Sequence, residues 1–487
     1  MFVSQGYGLL LSAAVTLLGA TGGAFAADDG NLRFGVVSDV HLWERPGSEK
    51  YLERAFVWFR DQGADGVMIA GDTATQGRIA QLKLAADAWY RVFPGDKGLD
   101  GRHVEKLFIY GNHCINNWKN YDAPGRGMSA APPEMLADPK FRAQGIGADN
   151  NRATCWKELF HEEYRPIWRK TVKGYVFIGA HWGHEKDLPA FMAKEGASID
   201  PRKPFFYVQH PHPKGTCVGD WAWGAEPNAT AVLSKYPNAV AFTGHSHYSL
   251  TDERSIWQGA FTSVNAGSLG YTSLDYDFRD NTHGTTYSQL LGPHLSGAPH
   301  VHKGKHALFV TVTEKEIRFE RLGFFFADTP EKLGDDWVIP LPMAEERPYA
   351  FAPRAAKRVA PAFDAGAKVT LTPVPNPKNT NETYRILVNF PHAHAVGGCR
   401  VFEYEVQPLL VGSGAELPLL AKRVIAAGFD LSEKSFEREE RRIPAKCVFA
   451  TSAFPKGATI RFEVRPVECF GKKGEPIRSE PLALRSF

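Results

Sequence analysis

The stretch Phe34-Gly35-Val36-Val37-Ser38-Asp39-Val40-His41 begins as an apolar run and stops at a carboxylate and an imidazole. A short apolar run bounded by polar residues reads as a buried strand, here closing at Asp39. Next, Leu52, Ala55, Phe56 and Phe59 recur at i, i+3, i+4 and i+7, the stripe of an amphipathic helix. Residues 66–70 repeat the strand and run into Gly71-Asp72. Ile79, Leu82, Ala86 and Trp89 mark a second helix, and residues 107–110 a third strand before Gly111-Asn112-His113. Such alternation builds a parallel sheet layered with helices. Ligands of these sheets collect at the carboxyl ends of strands, where the polar motifs fall.

From Cys114 to about Arg169 the strand pattern lapses into an insertion rich in Asn, Pro, Gly and Trp. Strands resume at 175–179, at 205–208 before His210, and at 240–243 before Gly244-His245-Ser246-His247. A helix carrying Ala229, Val232, Leu233 and Tyr236 lies between the last two. Residues 261–265, 307–312 and 317–322 read as further, antiparallel strands. Residues 277–306 read as a solvated polar loop. Its His283, His294, His300, His302 and His306 follow no metal-ligand spacing. Pro330, Pro340, Pro342, Pro348, Pro353 and Pro361 give 329–361 the composition of a linker. Beyond it, strands at 368–372, 384–389, 400–406 and 459–466 read as an all-β sandwich over 362–487.

With 487 residues, two domains are the default expectation. Lys and Arg number 57 against 54 Asp and Glu, a balance that gives no strong nucleic-acid signal. Residues 1–26 read as a signal peptide: an apolar core at 9–18 precedes Ala24-Phe25-Ala26, a small-x-small cleavage pattern. No Lys or Arg precedes that core. It is also short of the roughly 20 residues of a spanning helix, so the mature chain is expected to be exported, periplasmic or secreted, with no membrane span. The six cysteines lack any CxxC pair. An exported chain permits disulfides, such as Cys114 with Cys155 and two of Cys399, Cys447 and Cys469; buried free thiols are the other reading.

Asp39, His41, Asp72, Asn112, His210, His245 and His247 supply carboxylate, amide and imidazole donors suited to borderline divalent ions such as Zn, Mn or Fe. Each has a plainer reading. Asp39 and Asp72 fit helix N-caps, Asn112 a turn residue of positive φ, and 244–247 a tight turn. Gln209-His210-Pro211-His212 offers two imidazoles, of which His210 directly ends the strand.

The ordered set Asp39-x-His41, Gly71-Asp72, Gly111-Asn112-His113, His210 and Gly244-His245-x-His247 resembles the calcineurin-like metallophosphoesterase superfamily over residues 32–328. The resemblance implies a four-layer α/β/β/α sandwich. It also implies two divalent ions, one held by Asp39, His41 and His247 and the other by Asn112, His210 and His245, with Asp72 shared between them. A hydroxide bridging them would attack phosphorus in line. His113 would protonate the leaving oxygen, a task suited to an imidazole. The C-terminal hairpin from Ile460 resembles a fibronectin type III domain.

Two positions depart from the superfamily pattern. Cys114 stands where an Asp or Glu usually follows Gly-Asn-His, so His113 is expected to be held differently. Thr75 stands where a purple acid phosphatase carries an iron-ligating tyrosine. The insertion after Cys114 reads as a lid or specificity wall. Asn117, Trp118 and Trp221 are candidate substrate contacts, since aromatic rings stack bases and all three flank motif loops. The expected activity is hydrolysis of a small phosphomonoester or phosphodiester. Two rivals are a catalytically impaired cell-surface binding protein on the same fold, and a nuclease.

Overall fold

The computed structural model describes residues 29–42, 47–115, 149–217, 226–272, 304–325, 329–343, 347–375, 384–412, 414–439 and 441–484. Its first half runs β1 (Leu32–Val37), α1 (Ser48–Asp61), β2 (Gly66–Ala70), α2 (Ile79–Val92), β3 (Glu105–Ile109) and a short helix α3 (Asn112–Ile115). It continues through α4 (Asp149–Phe160), β4 (Ile167–Val172), β5 (Tyr175–Ala180), α5 (Leu188–Glu195), β6 (Phe205–Val208), α6 (Pro227–Leu233) and β7 (Ala239–Thr243). Then come β8 (Ile256–Gln258), β9 (Thr262–Asn265), β10 (His306–Val312), β11 (Glu316–Gly323), β12 (Glu331–Lys332), β13 (Trp337–Pro340) and α7 (Phe351–Lys357).

These strands form two mixed sheets, ordered β12-β11-β10-β1-β2-β3, with β13 also on β11, and β4-β5-β6-β7-β9-β8. Their facing sides share one apolar core. Phe34 of β1 meets Phe177, Phe206 and Phe242 edge-on at 5.2, 5.1 and 5.7 Å, the geometry aromatic quadrupoles favour. On the outer face of the first sheet, Leu52, Phe56, Phe59, Leu82 and Trp89 of α1 and α2 pack onto Val37, Val67, Ile69 and Phe108. Gly35 admits this packing, because a Cβ there would lie 2.2 Å from the Phe59 ring. Leu188, Met192, Ala229, Val232 and Leu233 of α5 and α6 cover the second sheet. The result is the helix–sheet–sheet–helix sandwich expected from the sequence.

Several sequence expectations change. β9 runs parallel to β7 and antiparallel to β8, because the unanticipated β8 takes the sheet edge. The proline-rich segment is built into the fold: Trp337 and Ile339 are buried and β13 pairs along β11. Arg354 of α7 then donates to the carbonyls of Glu253 and Ile256 at 2.6 and 2.8 Å. All six cysteines are free and buried, so no disulfide forms; they pack as small apolar residues. His306 is fully buried at the start of β10 rather than in a solvated loop, while His283, His294, His300 and His302 lie outside the described residues. Among the described residues, no helix is long and apolar enough to cross a membrane.

The C-terminal region is antiparallel β structure. It comprises β14 (Thr370–Pro375), β15 (Tyr384–Phe390), β16 (Val401–Val411), β17 (Glu416–Pro418), β18 (Lys422–Ile425), a short helix α8 (Glu433–Glu439), β19 (Ala445–Ala450), β20 (Thr459–Glu468), β21 (Ile477–Arg478) and β22 (Leu482–Ala483). One sheet is β14-β15-β19, the other is built on β16 and β20. Ile386, Val388 and Phe449 meet Tyr404, Val406 and Phe462 in a core of their own.

Candidate metal centre

The seven donor residues lie just beyond the carboxyl ends of β1, β2, β3, β6 and β7, on both sheets. Sandwiching the sheets brings these ends together. His247 Nε2 lies 3.1 Å from Asp39 Oδ1 and 3.1 Å from His41 Nε2, and His210 Nε2 lies 3.0 Å from Asp72 Oδ2. Ligand atoms fall within 4.8 Å of one another in three sets: Asp39, His41 and His247; Asp72, His210 and His245; and His41, Asp72 and His113. The first two sets hold six of the seven donors; Asn112, an amide, is in neither. In the third, His113 stands as close to Asp72 and His41 as a ligand would.

Backbone geometry sets these residues apart. Asp39 (φ 50°), His41 (50°), Asp72 (48°), His245 (70°) and His247 (55°) are all left-handed, a region that few non-glycine residues visit. Strain of this kind persists only where the surroundings over-determine it, and it clusters at functional sites. Three of the plainer readings also fall. Gly47 and Arg78, not Asp39 and Asp72, cap α1 and α2, and Asn112 is not a positive-φ residue. Gly111 makes room for the centre, since a Cβ there would lie 2.2 Å from Asp72 Oδ1.

Hydrogen bonds around the centre fix which atoms face inward. A carbonyl only accepts, so an imidazole Nδ1 bonded to one carries its proton and presents Nε2. His210 Nδ1 donates to Ala70 O at 2.7 Å, and His247 Nδ1 to Tyr271 O at 3.0 Å. His113 Nδ1 donates to Thr75 O at 2.9 Å. Asp72 accepts the His113 amide on Oδ1 at 2.8 Å. Asn112 Oδ1 is buried without a hydrogen-bond partner, and the buried Asp72 Oδ2 and His210 Nε2 face each other at 3.0 Å without hydrogen-bond alignment. Orphaned buried donors and acceptors are costly, and here they are the atoms a cation would bind. The residues present therefore fit divalent metal.

Residues 32–249 match the family model of calcineurin-like phosphoesterases. No curated protein matches the chain. Solved structures similar to it include a purple acid phosphatase from yellow lupin seeds, at 16% identity over 64% of this chain and 54% of that one, with a TM-score of 0.38. A dimetal phosphatase from Danio rerio is 12% identical over 63% of this chain and 98% of its own, with a TM-score of 0.33. A predicted phosphoesterase from Streptococcus pneumoniae TIGR4 is 12% identical over 64% and 98%, with a TM-score of 0.29.

Within the matched segment, His210 is separated from its rival. His212 is fully engaged by hydroxyls, with Nε2 2.9 Å from Ser246 Oγ and Nδ1 2.8 Å from Thr243 Oγ1. It braces the 244–247 turn instead of facing the centre. Cys114 is buried in the helix-side core, and burial, with Asp72 adding, pushes its thiol up to about 12. The neutral thiol replaces no carboxylate; the Thr75 carbonyl does the orienting.

Sequence reasoning missed Tyr271, whose carbonyl aims His247 and whose ring lies 4.3 Å from His247 and 5.4 Å from His41. No motif signals a backbone acceptor. On the opposite side Trp182 lies 5.3 Å from His245. Asn117, Trp118 and Trp221 lie outside the described residues.

Burial favours a neutral His210 ring, but the carboxylates of Asp72 and Asp39 outweigh it and hold the group at about 9. His247 is raised in the same way by Asp39. A metal-bound imidazole is neutral, so uptake of an ion at His210 would displace its proton below about pH 9. Manganese affinity should then rise with pH by up to about tenfold per unit for one proton released, flattening above about 9. Calorimetry in buffers of different ionisation enthalpy reads the proton directly; pH-independent affinity would contradict this account.

Proposed function

We propose that this chain is an exported, dinuclear-metal-dependent phosphoesterase acting on small phosphomonoesters or phosphodiesters. One observation carries the reading: six donors from four strand ends converge as two adjacent ligand sets, five of them on left-handed backbone, with the buried Asn112 Oδ1 lacking a hydrogen-bond partner. Asp39, His41 and His247 would hold one ion, and Asn112, His210 and His245 the other, with Asp72 between them. When bound, divalent ions supply Lewis acidity and an acidified water.

The chain's own groups do the rest. The Asp39 carboxylate accepts the His245 amide on both oxygens, at 3.2 and 3.0 Å, which locks the 244–247 turn onto the β1 loop. His113, with Nδ1 held by Thr75, presents Nε2 as the proton donor to a leaving oxygen. Tyr271 and Trp182 wall the two ends of the centre with aromatic surface. The N-terminal segment supports export, and the two antiparallel sheets of the C-terminal region are compatible with a fibronectin type III-like module.

The test is a panel of phosphomonoesters, linear diesters, cyclic nucleotides and single- and double-stranded DNA, offered to the chain reconstituted separately with Mn²⁺ and Zn²⁺. Turnover of a small ester with no cleavage of DNA is expected. Bound metal with no turnover across the panel would instead make the chain a binding protein.

A further inference from the structure

We infer that Asp430, in the C-terminal region, is a positioning residue for the metal ligand His247, acting through Thr272 and the Tyr271 carbonyl. The inference rests on the metal reading above. Tyr271 O is the acceptor that aims His247, and it belongs to the peptide unit joining Tyr271 to Thr272. Whatever fixes that peptide plane fixes the ring. On one side, Tyr271 N donates to Ser268 Oγ at 3.0 Å, and Ser268 Oγ donates to Asp39 O at 3.0 Å. On the other, the Oγ1 of the fully buried Thr272 donates to Asp430 Oδ2 at 2.8 Å, its one side-chain hydrogen bond among the described residues.

The same carboxylate oxygen accepts Gly304 N at 2.8 Å, so it ties together two strand-flanking points far apart in sequence. Its backbone is held as well. His306 accepts the Leu250 amide on Nδ1 at 3.1 Å, so its proton sits on Nε2, which donates to Asp430 O at 2.8 Å. Thr251 Oγ1 donates to the neighbouring Phe429 O at 2.5 Å. Leu250 and Thr251 lie three and four residues after His247 in sequence. The segment 429–430 thus grips the His247 loop from both its chain continuation and its carbonyl partner. Asp430 is itself 2% exposed and lies well beyond the matched residues 32–249. This gives the C-terminal region a role in the centre that no ligand motif contains.

A purely structural clamp would lower the melting temperature and leave metal binding alone. The experiment titrates the metal-free full chain with Co²⁺, following visible absorption. His247→Ala and His245→Ala identify which binding step belongs to which ligand set. Asp430→Ala is expected to weaken the His247 step by about tenfold, the low end for loss of an outer partner of a metal ligand, and to leave the His245 step unchanged. Thr272→Val, which removes the hydroxyl and keeps the shape, should weaken the same step, and Asp430→Asn, which retains an acceptor, should largely restore it. If Asp430→Ala does not fold, the Thr272→Val and Asp430→Asn pair carries the test. Two unshifted steps in Thr272→Val, or both steps weakened equally, would overturn the inference. Failure of the unmodified chain to bind Co²⁺ would overturn the metal reading instead.

Discussion

Asp72→Asn should lower metal content and turnover by at least about a hundredfold. Outer partners of metal ligands already cost 10–100-fold when removed, and the proposal above makes Asp72 a direct, shared ligand. The substitution is close to isosteric. A carboxamide oxygen still accepts the His113 amide at the position of Oδ1, 2.8 Å away, so the loop retains its anchor. The other position becomes an NH₂ donor where Oδ2 now lies 3.0 Å from His210 Nε2. An inward-facing donor cannot bind a cation, and the neutral amide no longer offsets the charge of two ions. Elemental analysis and turnover on the same preparation check the expectation. Normal turnover in Asp72→Asn would remove Asp72 from the centre.

Asp72 was legible in the sequence because its position follows from one periodicity. A five-residue buried strand ends there, and the helix resuming at Ile79 excludes a continued strand. The same logic reaches Asp39, Asn112, His210 and the 244–247 turn, all placed by the strands before them. What the sequence hides is whatever depends on backbone acceptors or distant packing. Thr75 orients His113 with its carbonyl, which any residue carries, so the side chain at that position says nothing about it. Tyr271 is invisible for the same reason. Asp430 stands in a region whose pattern announces only alternating strands, and its contacts reach across 158 residues to Thr272. The proline-rich segment misled because composition records chain stiffness, whereas the burial of Trp337 and Ile339 is set by the free edge of β11.

His113→Ala should leave both ions bound and lower turnover by about 10²–10⁴, the usual range for a positioned proton donor. The geometry makes this a sharp distinction. His113 Nδ1 is committed to Thr75 O, so one nitrogen remains to act. That nitrogen can protonate a leaving oxygen or bind an ion, but not both at once. Its ligand atom lies within 4.8 Å of those of His41 and Asp72, close enough for either task. Leaving-group dependence separates them. A proton donor matters most for a poor leaving group, so the loss should be large on an alkyl ester and should shrink on a nitrophenyl ester, whose oxygen departs without protonation. A third imidazole ligand would give an equal loss on both esters, accompanied by loss of metal, and that pattern would move His113 from the acid to the ligand set.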